Sequence, residues 1–323
     1  MRYSENSYNL WLHRFAKLVV GATFILIFIG GLVTSTGSGL AVPDWPTTYG
    51  RFMFSFPFSQ MVGGILYEHG HRMVATFVGF LTVILTIWLW IKEPRRWVRW
   101  LGVGALFAVI LQGVLGGVTV LFELPTPVSV AHGCIAQAFF CMTIGLAMFT
   151  SKEWLSSRAN IMDSGKASLQ TLTLITTAVI FAQLILGAIM RHMGAGLAIP
   201  DFPLSFGKIV PPLISQQIAV NFLHRVGALV VSIFIIWTLI HILRFHKEEQ
   251  RLSRPVLLLF GTLIIQIILA AITIWTKKAV IPTTGHVTMG ALILGMSLFL
   301  TLRSYRSVEI VPHGHILTEQ ATT

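Results

Sequence analysis

The chain has 323 residues, of which 54% are hydrophobic and only 11% charged, and its formal net charge is +11. A soluble domain carries about 25% charged residues, so this composition excludes a water-soluble globular protein. The positive charge raises nucleic acid as a partner, but no basic stripe with interleaved aromatics occurs.

Taken in chain order, apolar runs near 18–36, 73–91, 100–121, 128–150, 168–190, 217–241, 255–275 and 283–302 each approach the roughly 20 residues that cross a bilayer. The first run is too long for a signal peptide and has no small-residue cleavage site followed by soluble sequence, so it reads as a retained helix. With the N-terminus in the cytoplasm, sixteen Lys and Arg fall on inner segments. Seven fall outside: Arg51, Arg72, Arg191, Lys208, Arg225, Lys277 and Lys278. That positive-inside bias puts both termini in the cytoplasm and makes the basic charge a topology signal. The outer segments 37–70 and 191–216, rich in Gly, Pro and aromatics, are long enough to form lids but too short for domains. Cys134 and Cys141 lie on one predicted helix, about 10.5 Å apart along its axis, too far for a disulfide; they read as packing residues.

The polar stretch 151–167 divides two copies of one pattern. Residues 30–46 read GGLVTSTGSGLAVPDWP and residues 187–203 read GAIMRHMGAGLAIPDFP; His71-Arg72 answers to His224-Arg225, and Gln112–His132 aligns without a gap onto Gln266–His286. The expected fold is therefore an all-α integral membrane protein of eight helices. Residues 1–150 form one four-helix bundle, 151–167 a cytoplasmic linker, 168–306 a second bundle, and 307–323 a polar tail. Four helices per copy is an even number, so both copies enter the membrane in the same sense, as a pseudo-twofold axis along the membrane normal requires.

Spans two, four, six and eight all run inward, so His71, His132, His224 and His286 lie at matched depth just beneath the outer surface. Facing imidazoles in a bundle core are a cofactor site, and two imidazoles satisfy heme iron axially; the pattern reads as two heme-binding pairs. His69 aligns with Phe222 and His192 with Ser35, so neither repeats. His13, His241, His246, His313 and His315 fall at cytoplasmic edges or in tails and are assigned no role. Glu68 stands one helical turn before His71, with Asn221 as its counterpart. An acid at a membrane cofactor site is functional by default, and its loss in the second copy divides the labour: chemistry in the first half, electron handling in the second. Arg72 and Arg225 suit either pairing with heme propionates or snorkelling to the interface. Asp44 and Asp201 read as lid-shaping residues. Gln112, Gln183 and Gln266 each begin a run whose small residues suit close helix contact.

In these residues the chain resembles the heme A synthase family. The resemblance covers nearly the whole length, through TSTGSGLAVPDWP (34–46), YEHGHR (67–72), VAHG (130–133), NFLHR (221–225) and TGH (284–286). It implies conversion of heme O to heme A in the cytoplasmic (inner) membrane by oxidation of the porphyrin C8 methyl group to a formyl group. It also implies that His71 and His132 hold the substrate heme O, that His224 and His286 hold a resident heme b, and that Glu68 is the functional glutamate. Many relatives carry cysteine pairs in the outer loops; this chain has none there, so a loop disulfide plays no part in it. The resemblance implies heme O synthase and a terminal oxidase as functional neighbours, and the sequence leaves a homo-oligomer open. Two other classes compete: a diheme b-type electron-transfer protein, which would place hemes at different depths, and a heme transporter or chaperone, which would show helices broken near the midplane.

Overall fold

The computed structural model describes residues 8–156, 161–163 and 167–310. The polar tail beyond 310, with His313 and His315, lies outside the described residues, as do Arg2 and the linker residues 157–160 and 164–166. Eight long helices carry the fold: α1 (Leu10–Ser35), α2 (Gly64–Lys92), α3 (Arg96–Leu121), α4 (Thr126–Phe149), α6 (Leu169–His192), α7 (Gln216–Phe245), α8 (Gln250–Trp275) and α9 (Val280–Ser307). Each contains a window apolar enough to cross a membrane. Helices are the natural solution there, because every backbone N–H and C=O must be paired within the protein. Large apolar side chains such as Phe77, Phe107, Ile233 and Leu258 remain exposed, as a lipid-facing surface requires.

The described part of the linker has secondary structure of its own. It contains the short helix α5 (Lys152–Ser156) and a strand, β1 (Ile161–Asp163), which pairs in parallel with β2 (Val308–Ile310) directly after α9. Among the described residues this pair is the one strand ladder in an otherwise helical fold.

The two halves repeat in detail. The turn between α3 and α4 has Glu123 and Leu124 at φ 57° and 61°, and that between α8 and α9 has Lys277 and Lys278 at 52° and 68°. In both, the second residue's N–H closes the preceding helix, Leu124 onto Thr119 O at 2.7 Å and Lys278 onto Thr273 O at 2.8 Å. Within each half the helices pack in one pattern: α1 on α2, α3 on α4 and α1 on α4, matched by α6 on α7, α8 on α9 and α6 on α9. Between halves α1 meets α9, α6 meets α4, and α4 meets α9. Exchanging the halves maps this set of contacts onto itself, as a twofold relation would. Small residues permit the close approach: a Cβ on Gly295 would stand 2.9 Å from Ile144 Cδ1, and one on Gly31 3.3 Å from Thr284 Cγ2.

The halves differ in how their cores are held. The first is a chiefly apolar cluster around Leu85, Leu89, Val98, Phe139 and Leu146. The second adds hydroxyl-to-hydroxyl pairs between helices: Thr173 with Ser304 (2.9 Å), Thr176 with Thr238 (3.0 Å), and Thr177 with Ser297 (2.7 Å) and Thr301 (2.8 Å).

Candidate functional site

The helix α2 starts nine residues before the apolar run that announces it, because Tyr67–Arg72 is polar but helical. His71, His132, His224 and His286 therefore sit six to eight residues inside α2, α4, α7 and α9, about 9–12 Å from the helix starts. All four are half-buried. His71 lies within electrostatic reach of His132, and His224 of His286. Glycines make room for one ring of each pair: a Cβ on Gly30 would stand 3.1 Å from His71 Cε1, and one on the repeat-matched Gly187 3.0 Å from His224 Cε1.

The surroundings of the rings are repeated only in part. In the second half, Gln183 Nε2 lies 3.0 Å from His224 Nδ1 and donates to His224 O at 2.8 Å. His286 Nδ1 lies 3.3 Å from Gln266 O, an acceptor for its proton. In the first half, Gln112 Nε2 reaches only the backbone, donating to His132 O at 3.0 Å. The residue aligned with Gln183 is Leu26, and His71 Nδ1 is buried without a hydrogen-bond partner among the described residues; His132 keeps the Gln112 backbone beside it, as His286 keeps that of Gln266. The glutamines, read in the sequence as parts of helix-contact runs, are thus supports for the histidines. The recurrence of Gln112 and Gln266 at one spacing from His132 and His286 was the available signal.

Above the rings, both outer loops close in one manner. Thr48 bridges Arg51, and Ser205 bridges Lys208, around turns whose central residues, Tyr49-Gly50 and Phe206-Gly207, all have positive φ. Such a turn favours glycine at its second central position. Asp44 accepts from the amides of Tyr49 (2.7 Å) and Gly50 (2.8 Å) and from the Thr47 hydroxyl. Asp201 accepts from those of Phe206 (2.7 Å) and Gly207 (2.8 Å). Burial pushes the Asp44 carboxyl up, but the bonds from Thr47, Gly50 and Tyr49 outweigh it and the net shift is downward; the amides of Gly207 and Phe206 hold Asp201 down as well. Both aspartates shape the lids.

The sequence left Arg72 and Arg225 between propionate pairing and snorkelling; the structure gives them a third task. Arg72 donates through Nη1 to Asp44 O (2.7 Å) and Thr47 O (3.1 Å), and through Nη2 to Val42 O (2.9 Å) and to Glu68 Oε1 (2.6 Å). Arg225 repeats the clamp on Leu204 O (2.8 Å) and Ile199 O (3.0 Å) and donates through Nε to Asn221 Oδ1 (3.0 Å). Each guanidinium ties its lid to the helix that carries a paired histidine.

Glu68 and Asn221 occupy one position in this clamp with opposite polarity. Glu68, 3% exposed, accepts the Val42 amide on Oε2 at 2.7 Å. Asn221 instead donates to Ala195 O (2.8 Å) and Gly196 O (3.3 Å). Beside Glu68, His69 is buried against Thr48, with Nδ1 3.0 Å from its Oγ1, and against the Phe56 ring. At the junction of the halves Arg191 reaches from α6 to Gly31 O (3.3 Å) and Ser35 Oγ (3.0 Å) on α1, and His192 lies within electrostatic reach of His132. His69 and His192 are thus unrepeated but engaged. At the opposite end of the molecule His241 and His246, assigned no role from sequence, are buried against Asp163.

Known proteins bear on this geometry. The family described as COX15-CtaA, cytochrome oxidase assembly protein, matches residues 13–298. A protein named heme A synthase from Lysinibacillus sphaericus strain C3-41 is 25% identical over 305 residues, covering 93% of this chain and 97% of the relative. One of the same name from Symbiobacterium thermophilum is 30% identical over 226 residues, 66% of this chain and 71% of the relative. A third, from Staphylococcus haemolyticus strain JCSC1435, is 27% identical over 308 residues, 91% and 97% respectively. The matched region reaches into all eight long helices and takes in both lids and all four paired histidines, and the chain belongs to the cytochrome oxidase assembly protein family COX15-CtaA.

Proposed function

We propose that this protein is a heme A synthase, oxidising the C8 methyl group of heme O to a formyl group in two successive oxidations through the alcohol and a gem-diol that loses water. The observation that carries this reading is the pair of repeat-matched histidine sets, one with a buried carboxylate beside it and one without. Imidazole donors suit iron, and the glycines opposite His71 and His224 leave the rings unobstructed, so the residues present fit heme in both halves.

The second half is the resident heme b site. A ligating histidine holds its second ring N–H on an acceptor; His286 has Gln266 O in that place. Gln183, 3.0 Å from His224 Nδ1 and donating to His224 O at 2.8 Å, would steady the other imidazole of this pair. Heme b, when bound, supplies an electron relay. The first half takes heme O between His71 and His132; His71 lacks the glutamine that stands at His224, as befits a ligand that must arrive and leave. Glu68 is the catalytic group: its carboxylate stabilises positive charge developing at the oxidised methyl or accepts the proton released. The clamp of Arg72 and Val42 N–H holds that carboxylate in place, and the lids exclude water. The positive-inside bias supports cytoplasmic termini and heme sites toward the outer side.

Pigment extraction from cells that co-express this chain with a heme O synthase tests the reading. Heme A or its hydroxylated intermediate is the expected product. Heme B as the only pigment besides heme O would contradict it and favour a diheme electron-transfer protein or a heme carrier.

A further inference from the structure

Asp163, His241 and His246 meet at the inner end of the second half, the opposite end of α7 from the paired His224, and the proposed reaction uses none of them. We propose that they bind a divalent transition-metal ion of the zinc class, which pins the linker between the halves to the end of α7.

Distance carries the argument first. His241 Nε2 and His246 Nε2 lie 3.2 and 3.3 Å from the same oxygen, Asp163 Oδ1. A charge-assisted N–H···O bond closes to about 2.7–2.9 Å, so both contacts are long for hydrogen bonds. Tetrahedral zinc with bonds of about 2.0–2.1 Å places its ligand atoms about 3.3 Å apart. The three ligand atoms all lie within 4.8 Å of one another.

Burial and charge agree with this. The three residues are only 4–5% exposed, so a cation held between them would be shielded from water. His246 caps the C-terminus of α7, where the helix dipole favours positive charge. The outer shell is also built: Asp163 Oδ2 accepts the Leu169 amide at 2.7 Å, fixing the carboxylate as second-shell bonds fix metal ligands. Two imidazoles and one carboxylate suit zinc rather than magnesium or calcium, which take oxygen ligands. Three protein ligands leave a fourth position for water. Because Asp163 ends β1, which pairs with the strand following α9, one ion would hold the linker and the ends of α6, α7 and α9 together.

The test uses the full-length, heme-loaded protein in detergent, stripped with a chelator, exposed to excess Zn²⁺, desalted and assayed by elemental analysis. Wild type should retain about one zinc ion per chain more than the His241→Gln/His246→Gln variant, with equal heme content. Equal zinc in the two proteins would overturn the proposal. Should the variant fail to fold, zinc K-edge absorption on wild type decides: two imidazoles with nitrogen or oxygen neighbours at about 2.0–2.1 Å are expected. A wild type that retains no zinc, or a first shell without imidazole, would overturn it.

Discussion

The two halves share a fold down to the φ angles of their turns, yet treat their histidines differently. In the second half Gln183 and Gln266 O stand at the Nδ1 atoms of His224 and His286, and hydroxyl bonds run between α6, α7 and α9. In the first half His71 Nδ1 is without a partner among the described residues, Leu26 stands where Gln183 would, and Glu68 replaces Asn221. One repeat supports both rings of its histidine pair; the other supports fewer of them and has a carboxylate where its counterpart has an amide. The proposed function makes the better-supported pair the resident heme site and the pair near the carboxylate the reaction site.

The sharpest way to break this comparison is to remove ligands one half at a time. His224→Ala or His286→Ala should abolish resident heme b, read from the absorption spectrum of the purified protein. His71→Ala and His132→Ala should leave that heme in place while heme A production stops. Heme b lost equally from all four variants would remove the distinction between the halves.

Exchanging the support residue should have a smaller effect. Gln183→Leu is expected to weaken heme b retention by roughly 10-fold or more, as second-shell losses do. Leu26→Gln should make the first half retain heme longer and turn over more slowly. Heme retention on dilution checks both, and retention unaltered in either variant would detach the glutamine from ligand positioning.

Exchanging the polarity of the clamp is a stability question. Asn221→Asp turns two donated bonds, to Ala195 O and Gly196 O, into oxygen facing oxygen. It should cost about 2–4 kcal/mol, seen as a lower midpoint in thermal unfolding. An unchanged midpoint would mean that the lid does not depend on this residue.

The smallest effect is the one the halves share. Asp44 and Asp201 have folded-state values below the ordinary 3.8, so their contribution is present above that value and lost as pH falls through the folded one. Hydrogen-exchange protection of the Tyr49, Gly50, Phe206 and Gly207 amides should fall a few-fold in that acid range and stay flat above pH ~5. Equal protection across the range would show that the carboxylates do not hold the turns.

Much of this was legible in the sequence, because bilayer spans and internal repeats both leave periodic, local signals. Eight apolar runs correspond to eight long helices, and the offset between copies aligned the histidines. The start of α2 was misplaced because Tyr67–Arg72 lowers hydropathy without breaking the helix, so His71 lies deeper in its helix than the apolar run implied. Asp44/Asp201 and Arg72/Arg225 were each visible as recurrences, but a guanidinium bound to backbone carbonyls has no signature in residue identity. Asp163, 78 residues from His241 in the chain, joins it only through the path of the linker. Gln183 was visible as a residue; its use depended on knowing which face of α6 meets α7.

The proposed chemistry depends most heavily on Glu68, the buried acid one helical turn before His71. Its two neighbours suggest a competing role, since a group that accepts from Arg72 and from Val42 N–H is also a fastener for the lid. Glu68→Gln removes the charge and keeps one of the two accepting oxygens, and amide exchange at Tyr49 and Gly50 in that variant reads whether the lid stays closed. Heme content and pigment extraction of that variant in cells making heme O are the direct measurement. Resident heme b at wild-type occupancy with no heme A is the predicted result; normal heme A would contradict a catalytic Glu68 and leave it as a fastener of the lid.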